Sequence, residues 1–135
     1  EASCRNGVGR EDFCMSVIGA DGNLGSKLYV AIEYLYNGGG LGTETQGFDY
    51  SSEVVTMNKN FFGLSTSFEL NPLLYFSMSL IHDIDGESGV ISPSLIYNML
   101  PELDVVLGTQ FYLGGSEGEF GDVNDTYFLL ATFYF

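Results

Sequence analysis

Residues Thr126 to Phe135 read TYFLLATFYF. Successive side chains of an extended chain point to opposite sides, so Tyr127, Leu129, Ala131, Phe133 and Phe135 share one face. That face carries no charge and no strongly polar group. Chain ends are usually frayed unless something ties them down. A strongly apolar, strand-forming ending therefore predicts a strand with an apolar partner or medium on one side.

The same period of two recurs upstream, with turn residues between the runs. Phe13, Met15 and Val17 alternate with Cys14, Ser16 and Ile18, followed by turn formers from Asp21 to Ser26. From Lys27 to Tyr36, Leu28, Val30, Ile32, Tyr34 and Tyr36 alternate with Lys27, Tyr29, Ala31 and Glu33. Phe62, Leu64, Thr66, Phe68 and Leu70 oppose Phe61, Gly63, Ser65, Ser67 and Glu69. A turn at Asn71-Pro72 follows, because proline presets φ. Leu74, Phe76, Met78 and Leu80 then oppose Tyr75, Ser77 and Ser79. Ile91, Leu95 and Tyr97 oppose Ser92, Ser94 and Asn98, with Pro93 interrupting the face. A proline inside a strand is tolerated where its missing N–H is not needed, as at a bulge. Leu103, Val105, Leu107, Thr109, Phe111 and Leu113 oppose Asp104, Gly108 and Gln110. Counted with the ending, this makes seven strands of roughly 9 to 11 residues, the length that crosses a bilayer at a tilt.

Connections alternate in length. Residues 21–26, 71–72 and 99–102 are short turns, whereas 37–60, 84–88 and 114–125 are generally longer and rich in glycine and acids. The stretches LYVAIEYLYNGGG (28–40), NFFGLSTSFELNPLLYFSMSL (60–80) and SPSLIYNMLPELDVVLGTQFYLGG (92–115), together with the ending, resemble the last strands of porin-like outer-membrane β-barrels of Gram-negative bacteria. In that family the closing strand ends in an aromatic residue preceded by apolar residues at every second position.

The resemblance implies an all-β, antiparallel up-and-down transmembrane β-barrel in the outer membrane. It implies that Tyr127, Leu129, Ala131, Phe133 and Phe135 are a lipid-facing assembly signal. The partners implied are outer-membrane lipid and the barrel-assembly machinery, with a homo-oligomer or association with other envelope proteins. Short turns then lie on the periplasmic side and long loops outside. Seven strands with a periplasmic carboxyl end leave Glu1 outside, yet single-chain bacterial barrels have even strand numbers. Residues 1–135 are thus expected as one barrel domain in which 1–12 form an outer loop or a weak eighth strand, or as the closing part of a larger barrel.

Charge placement agrees with this reading. Of the 18 acids, ten fall in the three expected outer loops: Glu44, Asp49 and Glu53; Asp83, Asp85 and Glu87; Glu117, Glu119, Asp122 and Asp125. Within strands, Glu33, Glu69 and Asp104 have the parity of the polar face, as does Gln110, and these are the expected lumen-facing residues. A base facing lipid near the midplane costs about 2–4 kcal/mol and an acid less, with the cost vanishing towards the interfaces. Only His82 has apolar-face parity, and it falls at the outer end of its strand.

The formal charge of −14 argues against nucleic acid as a partner. No apolar run is long enough for a membrane helix, and no signal-peptide pattern opens the chain. One histidine, no tryptophan and no nucleophile-elbow or P-loop motif give no catalytic site and no cofactor site. Cys4 and Cys14 are candidates for a disulfide in an oxidising compartment, with a reactive or metal-binding pair as the alternative. Asp83, Asp85 and Glu87 in HDIDGES are weak metal candidates for Ca²⁺ or Mg²⁺ at the acidic loops, although the full EF-hand pattern is absent; a solvated hairpin tip is the plain alternative.

Three functions remain at this stage. A porin-like channel passes small solutes, with mild cation preference set by the acids. A small closed barrel, its interior filled by side chains such as Tyr29, Tyr75, Tyr112, Phe128 and Tyr134, serves as anchor, adhesin or scaffold. A soluble ligand-binding barrel turns the apolar face inward instead.

Overall fold

The computed structural model describes residues 2–5, 13–40, 56, 58–115 and 118–135. These form one antiparallel sheet of eight strands in chain order, each pairing with the next. Strand β1 spans Ala2–Arg5, β2 Phe13–Leu24, β3 Leu28–Asn37, β4 Asn60–Asn71, β5 Leu74–Asp83, β6 Ser88–Leu100, β7 Leu103–Leu113 and β8 Thr126–Phe133. Seven are long strands of 8 to 13 residues, and β1 has four. The up-and-down order follows from the alternation and the turn chemistry, since hairpins join neighbours without crossing connections.

The sheet is open rather than closed into a barrel, with β1 and β8 as its edges. Strand β1 pairs only with Phe13–Ser16, so β2 from Ile18 to Leu24 has β3 alone as its partner in the ladder. The sequence ASCR is too short to display a period, and it forms the four-residue β1.

Three turn assignments shift. Asp21, Gly22 and Asn23 continue β2, paired with Ala31, Val30 and Tyr29, and the turn moves to Gly25–Lys27, where Gly25 takes φ 75°. A left-handed φ of this kind suits glycine, which has no Cβ to clash. Asn71 ends β4 and its Oδ1 accepts from the Leu73 N–H at 3.0 Å, an Asx turn that leaves Pro72-Leu73 as the connection. The third short turn contracts from 99–102 to Pro101-Glu102, as Met99 and Leu100 remain in β6. Pro93 makes no bulge: pairing with β7 lapses at Ser92 and Pro93, then resumes at Ser94↔Gly108 in the register held by Ile91↔Phe111. The register shifts lie instead beside the short turns, at Glu69/Asn71 and Asn98/Leu100.

Register fixes two faces. Tyr127 and Leu129 pair with Thr109 and Leu107, Leu107 with Leu95, Leu95 with Phe76, Phe76 with Phe68 and Phe68 with Leu28. Directly opposed residues share a side of the sheet, so the apolar face predicted strand by strand is continuous from β3 to β8. Strand β2 joins it through Ile18, Ala20 and Leu24, and its expected stripe is reversed, with Met15 and Val17 on the polar face opposite Asn37 and Leu35. Among the described residues only Phe61 and Val90 are buried hydrophobics, and both have the parity of the other, polar face. The apolar face is open, with Ile18 at 73 %, Tyr127 and Leu129 at 72 % and Leu107 at 56 % exposure. No second layer covers it among the described residues.

Candidate functional site

The polar face is the place where chemistry gathers. Strands β2–β8 contain no lysine or arginine, and Asp21, Glu33, Glu69, Asp83 and Asp104 all have polar-face parity. The four residues expected to face a lumen, Glu33, Glu69, Asp104 and Gln110, lie on this one face. Two rows of serines cross its centre: Ser65↔Ser79↔Ser92 and Ser67↔Ser77↔Ser94. Small hydroxyl side chains leave the middle of the face low and polar. Towards β8 it is bulkier, because the Phe128 ring lies over Gly108, its cross-strand partner.

Phenols hold several polar groups of this face. Tyr29 Oη donates to Asp21 Oδ2 at 3.0 Å, Tyr112 Oη to Gln110 Oε1 at 3.0 Å and Tyr134 Oη to Asp104 Oδ2 at 3.1 Å. The Asp104 carboxylate accepts a hydrogen bond from the neutral Tyr134 phenol and repels its phenolate, and both effects raise the Tyr134 phenol above its ordinary value.

At the long-loop end, a cluster of polar side chains is more buried than anything else described. Asp83 and Asn37 are fully buried, Ser88 is 1 % exposed and Asn58 3 % exposed. Asp83 Oδ2 accepts from Asn58 Nδ2 at 2.6 Å, Ser88 Oγ at 3.2 Å and the Glu119 N–H at 3.2 Å, while Oδ1 accepts from the Gly86 N–H at 3.1 Å. A buried carboxylate needs such donors to offset its lost hydration. Asn37 Nδ2 donates to Thr56 Oγ1 at 2.7 Å, and Asn37 Oδ1 accepts from the Gly39 N–H at 3.1 Å.

Asp85 serves a separate set, accepting from the N–H groups of Lys59 and Asn60 at 3.0 and 2.9 Å and from Asn60 Nδ2. Partial burial pushes its carboxyl up. The Asn60 side chain, the two backbone N–H groups and the Lys59 charge outweigh that and hold it below the ordinary carboxylate range.

The structure thus separates the three acids of HDIDGES. Asp83 is buried within β5 instead of solvated at a hairpin tip, Asp85 is bound to the start of β4, and Glu87 is exposed with φ 48°. Among the described residues no group of three acids, histidines or cysteines is placed to hold a metal ion. Of the other expected loop acids, Glu119, Asp122 and Asp125 are described, whereas Glu44, Asp49, Glu53 and Glu117 lie outside the described residues. Cys14 is disulfide-bonded, and the register sets Cys4, the chain's other cysteine, directly opposite it.

The expected lipid-facing residues Tyr127, Leu129, Ala131 and Phe133 share the apolar face, with Tyr127 edge-on to Phe111 at 6.2 Å, and Phe135 follows the end of β8 fully exposed. His82 shares that face, opposite Phe62 and Gly89. Where Pro93 interrupts the ladder, an apolar groove of about 320 Å³ opens beside Phe76, Leu107 and Tyr127. Asn37, Asn58 and Ser88 have no counterpart among the sequence-derived site residues. Their only sequence signal is an asparagine or serine at each strand boundary.

Compared with known proteins, the chain matches no family model, no curated protein sequence and no solved structure.

Proposed function

We propose that this sheet is part of the wall of an outer-membrane β-barrel, completed by strands pairing at its β1 and β8 edges, and that it lines a porin-like channel for small solutes. One observation carries the reading: the uncharged, continuous apolar face lies open, while the described part of the β7–β8 loop is held on the polar face. Asp83 and Ser88, which have polar-face parity, are the acceptors that hold the 118–120 segment. A soluble barrel would turn its apolar face inward and cap that side.

Dimensions fit. Strand β7 has 11 residues. At about 3.3 Å per residue and a tilt near 45°, such a strand rises about 26 Å, close to the apolar band of such barrels. The acids of the polar face, with no base in β2–β8, favour cations in the lumen.

The test is conductance in planar bilayers under a salt gradient. Stepwise channels whose reversal potential indicates mild cation selectivity are expected; anion selectivity or an absence of conductance opposes the reading.

A second reading is favoured by the bulk near β8, where Phe128 covers Gly108 and Tyr134 engages Asp104. Eight strands enclose only enough space for side chains. A barrel closed from β1 to β8 would then be a filled anchor, adhesin or scaffold, and it would insert into bilayers without conducting.

A further inference from the structure

We infer that Asp83 is a pin that fastens the β7–β8 loop down across the long-loop end of the polar face. Its carboxylate joins three segments that are remote in sequence: Asn58 before β4, Gly86 and Ser88 of the β5–β6 hairpin, and Glu119 of the β7–β8 loop. Ser88 extends the joint, because its hydroxyl donates to Asp83 and accepts from the Phe120 N–H at 3.3 Å.

The surrounding glycines fit this role. A Cβ at Gly118 would collide with the Ser88 side chain and the Gly86 carbonyl, and one at Gly86 would collide with Asp83 and Asn58. Only backbone without side chains lets the loop approach the pin so closely. Opposite Asp83 on β4 and opposite Ile81 on β6 stand the two buried hydrophobics, Phe61 and Val90, so the pin lies beside a small dry patch.

The consequence for the mouth of a channel rests on the barrel reading, whereas the fastening of the loop does not. Released from Asp83, the 118–121 segment lifts from the rim and widens the entrance. A fastened loop keeps it narrow.

Hydrogen exchange on the whole chain, folded in phospholipid bilayers, tests the pin. In Asp83→Ala the amides of Glu119 and Phe120 are expected to exchange about tenfold faster or more, since Glu119 loses its acceptor and the Ser88 hydroxyl that accepts from Phe120 loses the carboxylate that orients it. Mid-strand amides of β4 to β7 should stay unchanged. Ser88→Ala is the milder variant, and it should release Phe120 alone by a comparable factor. Unchanged exchange at Glu119 and Phe120 in a folded Asp83→Ala overturns the proposal. If Asp83→Ala does not fold, unchanged Phe120 exchange in Ser88→Ala overturns it. Conductance of the same variants separates the two claims. Larger or noisier currents support both, and a protein that never conducts while Glu119 still depends on Asp83 keeps the pin and removes the channel.

Discussion

Replacing Leu107 by arginine distinguishes a lipid-facing surface from a wet one. Leu107 lies near the middle of β7, between Leu95 and Leu129, and is 56 % exposed on the apolar face. If that face met water, the change would forfeit only the minor buried share of a leucine, about 1 kcal/mol. Facing hydrocarbon near the midplane, an arginine costs about 2–4 kcal/mol. That range lowers the folding equilibrium by roughly 30- to 900-fold. Ser79→Arg is the matched control: Ser79 is exposed mid-strand on the polar face, flanked by Ser65 and Ser92, and an arginine there should change stability by no more than about 0.5 kcal/mol. Reversible urea unfolding from phosphatidylcholine vesicles measures both. A Ser79→Arg penalty equal to or above that of Leu107→Arg would refute the face assignment.

Three further outcomes follow from particular contacts. Asp85 has a folded-state pKa below its unfolded value, so its contribution to stability is present above about pH 4 and is lost as pH falls through the folded value; acid titration should loosen the start of β4 in the wild type, while Asp85→Asn is looser already at neutral pH and insensitive to acid at this point. Gly108→Ala forces the Phe128 ring aside and should cost about 1 kcal/mol, the low end for overpacking because the ring lies at a free edge; adding Phe128→Ala should then cost less than it does alone, and strict additivity in that double-mutant cycle would count against the contact. The cysteines should resist alkylation until reduced, with closure of the short loop between Cys4 and Cys14 contributing about 2–3 kcal/mol; two freely alkylated thiols in the untreated protein would disprove the bond.

Sheet-level features were legible because they are local. Strict alternation from Leu28 to Tyr36 or from Leu103 to Leu113 determines which side each residue takes, and the register then joins these stripes without a parity error from β3 to β8. In β2, where apolar residues stand at both parities (Val17, Ile18), the stripe falls on the opposite side from the one expected. The site was less legible. Asp83 reads as one acid of a solvated loop because its donors come from positions 3, 5, 25 and 36 residues away, and no period encodes such a meeting. Asp21-Gly22-Asn23 reads as a turn by composition, yet pairing with Tyr29–Ala31 and the Tyr29 hydroxyl hold it in β2. Ladder hydrogen bonds override local propensity there. At Pro93 the register is held by the pairs on either side, so the missing donor interrupts the ladder without shifting it.

The central claim is that the uncharged face meets hydrocarbon and the serine-rich face meets water. Spin labels placed one at a time along β4 and β5 in bilayers, at Leu64, Ser65, Ser79 and Leu80, measure this directly through collision with oxygen, which dissolves in lipid, and with a water-soluble nickel chelate. Leu64 and Leu80 should be accessible to oxygen and shielded from nickel, with the opposite pattern at Ser65 and Ser79. Nickel access at Leu64 and Leu80 equal to that at the serines would contradict the account.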